Sequence, residues 1–195
     1  MNRVLLEQLR QHTQDKHHLL DSHPLLEMLT NPNISQDQYR HALQALYAPH
    51  KQLELSLVVP LNLHFPDYHY QLRYPDIEKD LSQLQVDYAD IAIQGLPISS
   101  PSEVVGLLYV LEGSRLGARH ILRRLSGTQL PQEYFSGALN ESASGWKGFT
   151  ELTKEETLEY DQVVLSAQQG FDCFIRSLAL MSKNRIQGMN YAQST

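Results

Sequence analysis

Residues Gly106–Leu125 read GLLYVLEGSRLGARHILRRL, and the rest of the chain is organised around this stretch. It is the later part of a long helix that begins near Pro101. Ser100 is a good N-cap, Pro101 suits the first helical position, and Glu103 completes a capping box with Ser100. Gly127 is placed to stop it. Gly106, Gly113 and Gly117 lie inside, and each costs a helix about 1 kcal/mol relative to alanine. Three such residues do nothing for helicity, so something must approach this backbone or bend it. Successive helical residues step by about 100°, which puts the three glycines on one stripe with Tyr109 and His120 beside it. Arg115 and Arg119 project from the other side. Either a flat ligand lies against the stripe, or another helix packs closely on it.

A chain of 195 residues with 42% hydrophobic content is enough for one sizeable core, and residues 1–195 read as a single domain with its core over about 3–182. No run approaches the roughly 18 apolar residues that cross a bilayer. The N-terminus turns polar too early for a signal peptide. The single Cys173 excludes an internal disulfide and a cysteine-cluster metal site, which points to a reducing cytoplasm. A net charge of −6 argues against nucleic acid as a partner. Nine histidines are scattered without metal-motif spacing.

Hydrophobic spacing predicts an all-α bundle of about six to eight helices. A first amphipathic helix covers residues 3 to about 21, with Arg10, Thr13 and His17 on its polar face and Asp21 one turn after His17. DSHP breaks it, and LLEMLT makes a short turn of helix. Ser35 and Gln38 form a second capping box and open a helix to about Val58, which Pro49 kinks or splits. Pro60 to Tyr74 reads as irregular, and a helix runs from Pro75 to about Gln85. Residues 128–145 read as loop with at most a short helix. Thr153 and Glu156 read as a third capping box opening a last helix to about Ser182, with a frayed tail over 183–195.

The chemistry lies between the first helix and the glycine stripe. A neutral His17 imidazole is able to bind iron, Asp21 is placed to accept its other N–H, and Arg10 two turns earlier is suited to a carboxylate of the ligand. An ordinary surface histidine satisfies the same pattern.

The order LRxxTxxxHxxLD from Leu9 to Asp21, PLLxxLxxPxxxxxxYxxxLxxxY from Pro24 to Tyr47, and LE at Leu53–Glu54 resembles the bacterial heme oxygenases. LYVLEGSRLGA from Leu108 to Ala118 is similar to their distal-helix motif, and Trp146, Phe149 and the Phe171–Phe174 helix are also similar to family features. The resemblance spans roughly residues 3–182 and is nearest to the biliverdin-forming members that accompany bacterial phytochromes. It implies a heme-oxygenase-like helical fold and the opening of heme to biliverdin, carbon monoxide and ferrous iron with O2 and an external electron donor. Heme is then both cofactor and substrate.

By that resemblance His17 is the axial ligand of the heme iron and Asp21 its supporting acid. Arg10 and Tyr109 hold propionates. Gly113 and Gly117 let a kinked distal helix lie over the heme face, with Ser114 in the distal water network. Two positions depart from relatives. Ser114 replaces the carboxylate of the mammalian enzymes, and Ala118 stands where many have a second glycine. A ferredoxin, flavodoxin or reductase is the implied electron donor, and a phytochrome the implied recipient of biliverdin. Arg115, Arg119, Arg123 and Arg124 read as a solvated face or as the docking patch for an acidic donor. The alternatives are a non-enzymatic heme carrier or sensor on the same fold, and a helical enzyme for another flat ligand such as a thiamin-pathway pyrimidine.

Overall fold

The computed structural model describes residues 3–88 and 91–192, with side chains over 4–88, 91–138 and 145–183. Seven α-helices follow in order: α1 Arg3–Asp21, α2 Pro24–Glu27 (continued as a 3-10 turn, Met28–Thr30), α3 Gln36–His64, α4 Tyr74–Gln83, α5 Pro101–Leu125, α6 Glu133–Leu152 and α7 Tyr160–Ala192. No strand occurs among the described residues. The all-α reading holds.

Helix α5, the glycine helix, is the centre of the packing and lies against α7, α6 and α3. Its capping box forms as the sequence predicts, with Ser100 accepting from the Glu103 N–H and the Glu103 carboxylate accepting from the Ser100 N–H. Its end differs from expectation. Gly127 does not adopt the left-handed conformation of a glycine stop. Instead the Leu125 carbonyl accepts from the Thr128 N–H at 2.9 Å, the Thr128 hydroxyl at 2.8 Å and Gln132 Nε2 at 2.9 Å, which ends the helix by satisfying its last acceptor.

Pro49 neither splits α3 nor ends it, and α3 runs through Pro60 to His64. A proline at 49 takes away the donor that the Ala45 carbonyl would have had. The Ser177 hydroxyl, buried on α7, donates to that carbonyl at 2.6 Å. The vacancy is filled from another helix, so the α3 backbone continues.

Two further segments depart from the sequence reading. Residues 133–152, read as mostly loop, form the 20-residue α6. Gln132 gives this helix no side-chain cap. Asp80 of α4, fully buried, supplies one by accepting from the Glu133 N–H at 2.8 Å and the Tyr134 N–H at 3.0 Å. Thr153 does not open the last helix. It closes α6, its hydroxyl donating to the Thr150 carbonyl, and α7 begins only at Tyr160. The backbone of α7 is helical to Ala192, ten residues past the expected end near Ser182. Residues 193–195 of the tail lie outside the described residues.

One apolar core unites these elements. Leu5 and Leu9 of α1, Leu43, Leu53 and Leu57 of α3, Leu107, Leu108 and Leu111 of α5 and Val163 of α7 are all fully buried within it.

Candidate functional site

A cleft of about 1110 Å³ opens between α1, α5, α6 and α7, just above the roughly 300–1,000 Å³ typical of small-molecule sites. Its lining includes His17, Asp21 and Arg10 from α1, and Tyr109, Gly113, Ser114 and Gly117 from α5. All seven residues singled out from the sequence therefore face one cavity, although α1 and α5 are separated by about eighty residues of chain.

On the α1 wall, His17 Nδ1 lies 2.9 Å from Asp21 Oδ2, and both side chains are more than half exposed. This contact follows from their i, i+4 spacing on one helix. With Nδ1–H donated to the carboxylate, Nε2 keeps its lone pair, which is the tautomer a metal ligand needs. The ring meets Phe171 of α7 edge-on, with centroids 6.0 Å apart. Lys16 reaches Asp172 at 2.5 Å and Gln168 donates to the His12 carbonyl at 2.9 Å, so α1 is tied to α7 on both sides of Phe171. Arg10 is exposed at the cleft rim.

The glycine stripe divides in two. A Cβ at Gly106 would stand 2.2 Å from the Val163 carbonyl oxygen and 2.8 Å from Ser166 Cβ. This glycine is the point where α5 and α7 backbones touch, so close helix packing is the right reading there. A Cβ at Gly113 would find its nearest neighbour at 3.9 Å on Trp146, and one at Gly117 would meet nothing within 4 Å. These two leave bare backbone facing the cleft. Ala118 lines it as well, with its methyl buried. Tyr109 packs within an aromatic cluster, 6.2 Å from Trp146, 6.1 Å from Phe149 and 6.5 Å from Phe171 between centroids. His120 also lines the cleft.

Arg115 requires a correction. Its side chain is 1% exposed and belongs to no solvated face. Nε lies 3.2 Å from Glu112 Oε2, Nη2 donates to the Gln71 carbonyl at 2.6 Å, and the guanidinium sits 5.0 Å from the Tyr70 ring. The exposed basic residues of α5 are Arg119, Arg123 and Arg124.

The inner end of the cleft carries polar residues that the sequence reading passed over: His50, Arg73 and Tyr134. Tyr134 Oη is 2.7 Å from His50 Nε2, and His50 Nδ1 is 3.3 Å from Glu54 Oε1. Glu54 also accepts from the Tyr70 hydroxyl at 2.9 Å, the Arg73 N–H at 2.8 Å and the Tyr74 N–H at 3.0 Å. Burial pushes the Glu54 carboxyl up, but the hydrogen bonds and charge around it outweigh that and hold it below its ordinary value. Burial pushes His50 down, so the imidazole is neutral. Arg73 Nη1 donates to Ser114 Oγ at 2.6 Å, and its guanidinium lies 4.2 Å from the Tyr134 ring centroid. The His50–Glu54 pair has a signal in the sequence, an i, i+4 acid and base on the apolar face of a Leu-rich helix. Arg73 lies just ahead of a helix and has none.

Known proteins resemble this chain along most of its length. A profile of the heme oxygenase family matches residues 3–179. Heme oxygenase PigA of Pseudomonas aeruginosa is 28% identical over 166 residues, covering 80% of this chain and 83% of that protein. A heme oxygenase of Xanthomonas campestris is 35% identical over 92 residues, 45% of this chain and 54% of that protein. In three dimensions the NO- and CO-bound heme oxygenase of Neisseria meningitidis superposes with a TM-score of 0.72 at 22% identity, covering 91% of each chain. Heme oxygenase-1 of the cyanobacterium Synechocystis, in complex with heme, gives 0.67 at 14% identity over 98% of this chain and 99% of that one. With the family profile spanning nearly its whole length, this chain belongs to the heme oxygenase family.

Proposed function

We propose that this protein is a heme oxygenase that binds heme in the cleft between α1 and α5 and opens it to biliverdin, carbon monoxide and ferrous iron. The observation that carries the reading is a wall-to-wall arrangement: a histidine with its Nδ1 tied to a carboxylate on one side, and bare glycine backbone on the other, where an added Cβ would meet nothing closer than 3.9 Å. A flat ligand with an iron at its centre fits both walls. Bound heme supplies the iron at which oxygen is reduced, and its own ring is what is opened. The protein supplies binding, orientation and exclusion of water.

In this reading His17 Nε2 would hold the heme iron, and Asp21 fixes the tautomer and ring direction of the imidazole. Phe171 and Phe174 line the cleft and, with Trp146, cover apolar ring surface. Arg10 at the rim meets a ligand carboxylate, and Tyr109 holds the second one from the aromatic cluster. Gly113 and Gly117 leave room on the distal face. Oxygen is the second substrate. The exposed Arg119, Arg123 and Arg124, on a chain of net charge −6, fit an acidic electron donor such as a ferredoxin or flavodoxin, or a reductase. Biliverdin released from the cleft fits a downstream phytochrome. The one cysteine, Cys173, is free and buried, which suits a reducing cytoplasm. No helix of the described residues is long and apolar enough to cross a membrane.

The deciding experiment is an absorption titration with hemin of wild type and His17→Ala, followed by ascorbate in air. A one-to-one Soret complex that decays into a broad red biliverdin band, with altered ligation in His17→Ala, is the expected result. A Soret band that reduces without bleaching would instead identify a heme carrier. The absence of a complex would remove heme altogether.

A further inference from the structure

The part of α3 that follows the buried Glu54 carries an apolar ridge that nothing covers among the described residues. Leu55, Val59 and Leu63 are 48%, 74% and 73% exposed, and residues four apart line one ridge of a helix. None of the three lines the cleft. From Leu55 to Pro66 the chain holds no Asp, Glu, Lys or Arg. Beside the ridge runs a strap, residues 91–99, IAIQGLPIS, which is equally free of charge. Its backbone lies on α3. A Cβ at Gly95 would stand 2.3 Å from Ser56 Oγ and 3.2 Å from the Gln52 carbonyl oxygen, and His64 Nε2 lies 2.8 Å from the Ser99 carbonyl oxygen. Ridge and strap together form an uncharged face on a chain of net charge −6. Exposed apolar side chains grouped on one face mark a contact surface, whereas the same residues scattered singly would not.

Two features point to a second copy of the chain as the occupant. The first is charge. Two copies that each carry −6 repel one another, and they meet most easily where neither presents a charge. An anionic lipid surface is repelled by the same net charge and finds no basic cluster on this face. The second feature is the order of residues about Val59. Leu55 and Leu63 lie four residues to either side of it, and Lys51 and Asp67 lie eight. A twofold axis through Val59 that sets two α3 helices antiparallel lays Leu55 of one copy on Leu63 of the other. It also brings Lys51 of each copy toward Asp67 of the other. Asp67 is exposed, and Lys51 is 36% exposed, donating to the Tyr47 hydroxyl at 2.7 Å and to Glu78 at 3.4 Å. A parallel pairing would set Asp67 against Asp67 instead. Contacts about a twofold axis require such self-complementarity. We infer that the Leu55–Val59–Leu63 ridge is the twofold interface of an antiparallel homodimer. None of the residues it uses lines the cleft, so the inference stands apart from what the cleft binds.

Sedimentation velocity of the full chain over a concentration series is expected to show a monomer–dimer equilibrium. A contact one helix and one strap wide sits at the low end of specific interfaces, so a Kd on the order of 10 μM is expected. Val59→Asp places two carboxylates on the axis and should weaken the dimer at least about tenfold. With Val59 74% exposed, that variant keeps its fold and its hemin titration. Register is read by cysteine cross-linking under mild oxidation. Val59→Cys should form an intermolecular disulfide, because residue 59 meets its own copy. Leu63→Cys should not, since its own copy lies about 12 Å along the helix, beyond the roughly 7 Å between Cα atoms that a disulfide bridges. A mixture of Leu55→Cys and Leu63→Cys proteins should cross-link to each other. The native Cys173 is buried and adds no background. A wild type that stays monomeric throughout the series overturns the inference, including one that instead floats with anionic vesicles. So does a dimer that survives Val59→Asp. Cross-linking of Leu63→Cys as readily as Val59→Cys would mean parallel helices and would overturn the antiparallel register.

Discussion

Helix α5 has two halves with opposite relations to their surroundings. Around Gly106 the missing side chain is filled by the backbone of α7, with Val163 O only 2.2 Å from where a Cβ would stand. Around Gly113 and Gly117 the missing side chains leave space, and the space is the cleft. One turn-by-turn pattern of glycines thus serves two purposes. In the first half glycine holds the helices together, and in the second it keeps them apart. The difference is made by what lies opposite, since α7 packs along the first half while α1 stands across the cleft from the second. At the boundary sits the buried Glu112–Arg115 pair, 2% and 1% exposed, which takes α5 from one regime to the other.

That division is open to direct attack. The largest effect is expected at the boundary. Arg115→Ala leaves Glu112 buried beside a lost cation, and breaking such a pair costs about 3–5 kcal/mol. Urea unfolding of the ligand-free protein would measure it, and a neutral result would return Arg115 to the solvated face. Next comes Gly106→Ala. The new methyl meets backbone, which cannot swing away, and overpacking of this kind costs about 1–3 kcal/mol. Loss of stability with little change in hemin affinity per folded molecule is the expected pattern.

Asp80→Ala probes how the cleft's third wall is held. Removing the distant cap of α6 should cost about 0.5–2 kcal/mol and loosen Tyr134 at the inner wall. Asp80 carries a pH signature too. Burial raises its carboxyl to about 6, above its unfolded value, so the folded state holds this proton over roughly pH 4 to 6 where the unfolded chain has released it. Its contribution to stability is complete below that window and is lost as pH rises through about 6. In Asp80→Asn this decline should vanish from denaturation curves taken across pH 4 to 7.

A smaller change in stability, of opposite sign, is expected at Gly117→Ala. With nothing within 4 Å of the new methyl, the ligand-free helix should gain up to about 1 kcal/mol from propensity. Hemin affinity or turnover should fall, because the methyl projects into the cleft. The opposite signs at Gly106 and Gly117 are the sharpest test of the two halves. Reversing Arg119 and Arg123 to Glu should leave stability and ascorbate-driven turnover unchanged and slow ferredoxin-driven turnover. Equal ferredoxin rates would remove this face as a docking patch.

The sequence by itself determined the helices whose signals are local. α1, α3, α4 and α5 follow from 3.6-residue spacing and from side chains that cap their own helix, as Ser35 and Ser100 do. It also determined which residues share a face, so Arg10 with His17, Tyr109 with Gly113 and Gly117, and the His17–Asp21 contact were all legible from spacing on a single helix. Tertiary structure decided whatever is satisfied from a distance. α6 was hidden because its cap, Asp80, lies more than fifty residues away. α3 passes through Pro49 because Ser177 on α7 completes the Ala45 carbonyl. Arg115 turns inward because Glu112, Gln71 and Tyr70 together make a place for a buried cation. His50, Glu54, Arg73 and Tyr134 become one wall only when α3, α6 and the segment before α4 meet. A hydrogen bond within one helix is written in residue spacing, and one between helices depends on packing that spacing does not encode.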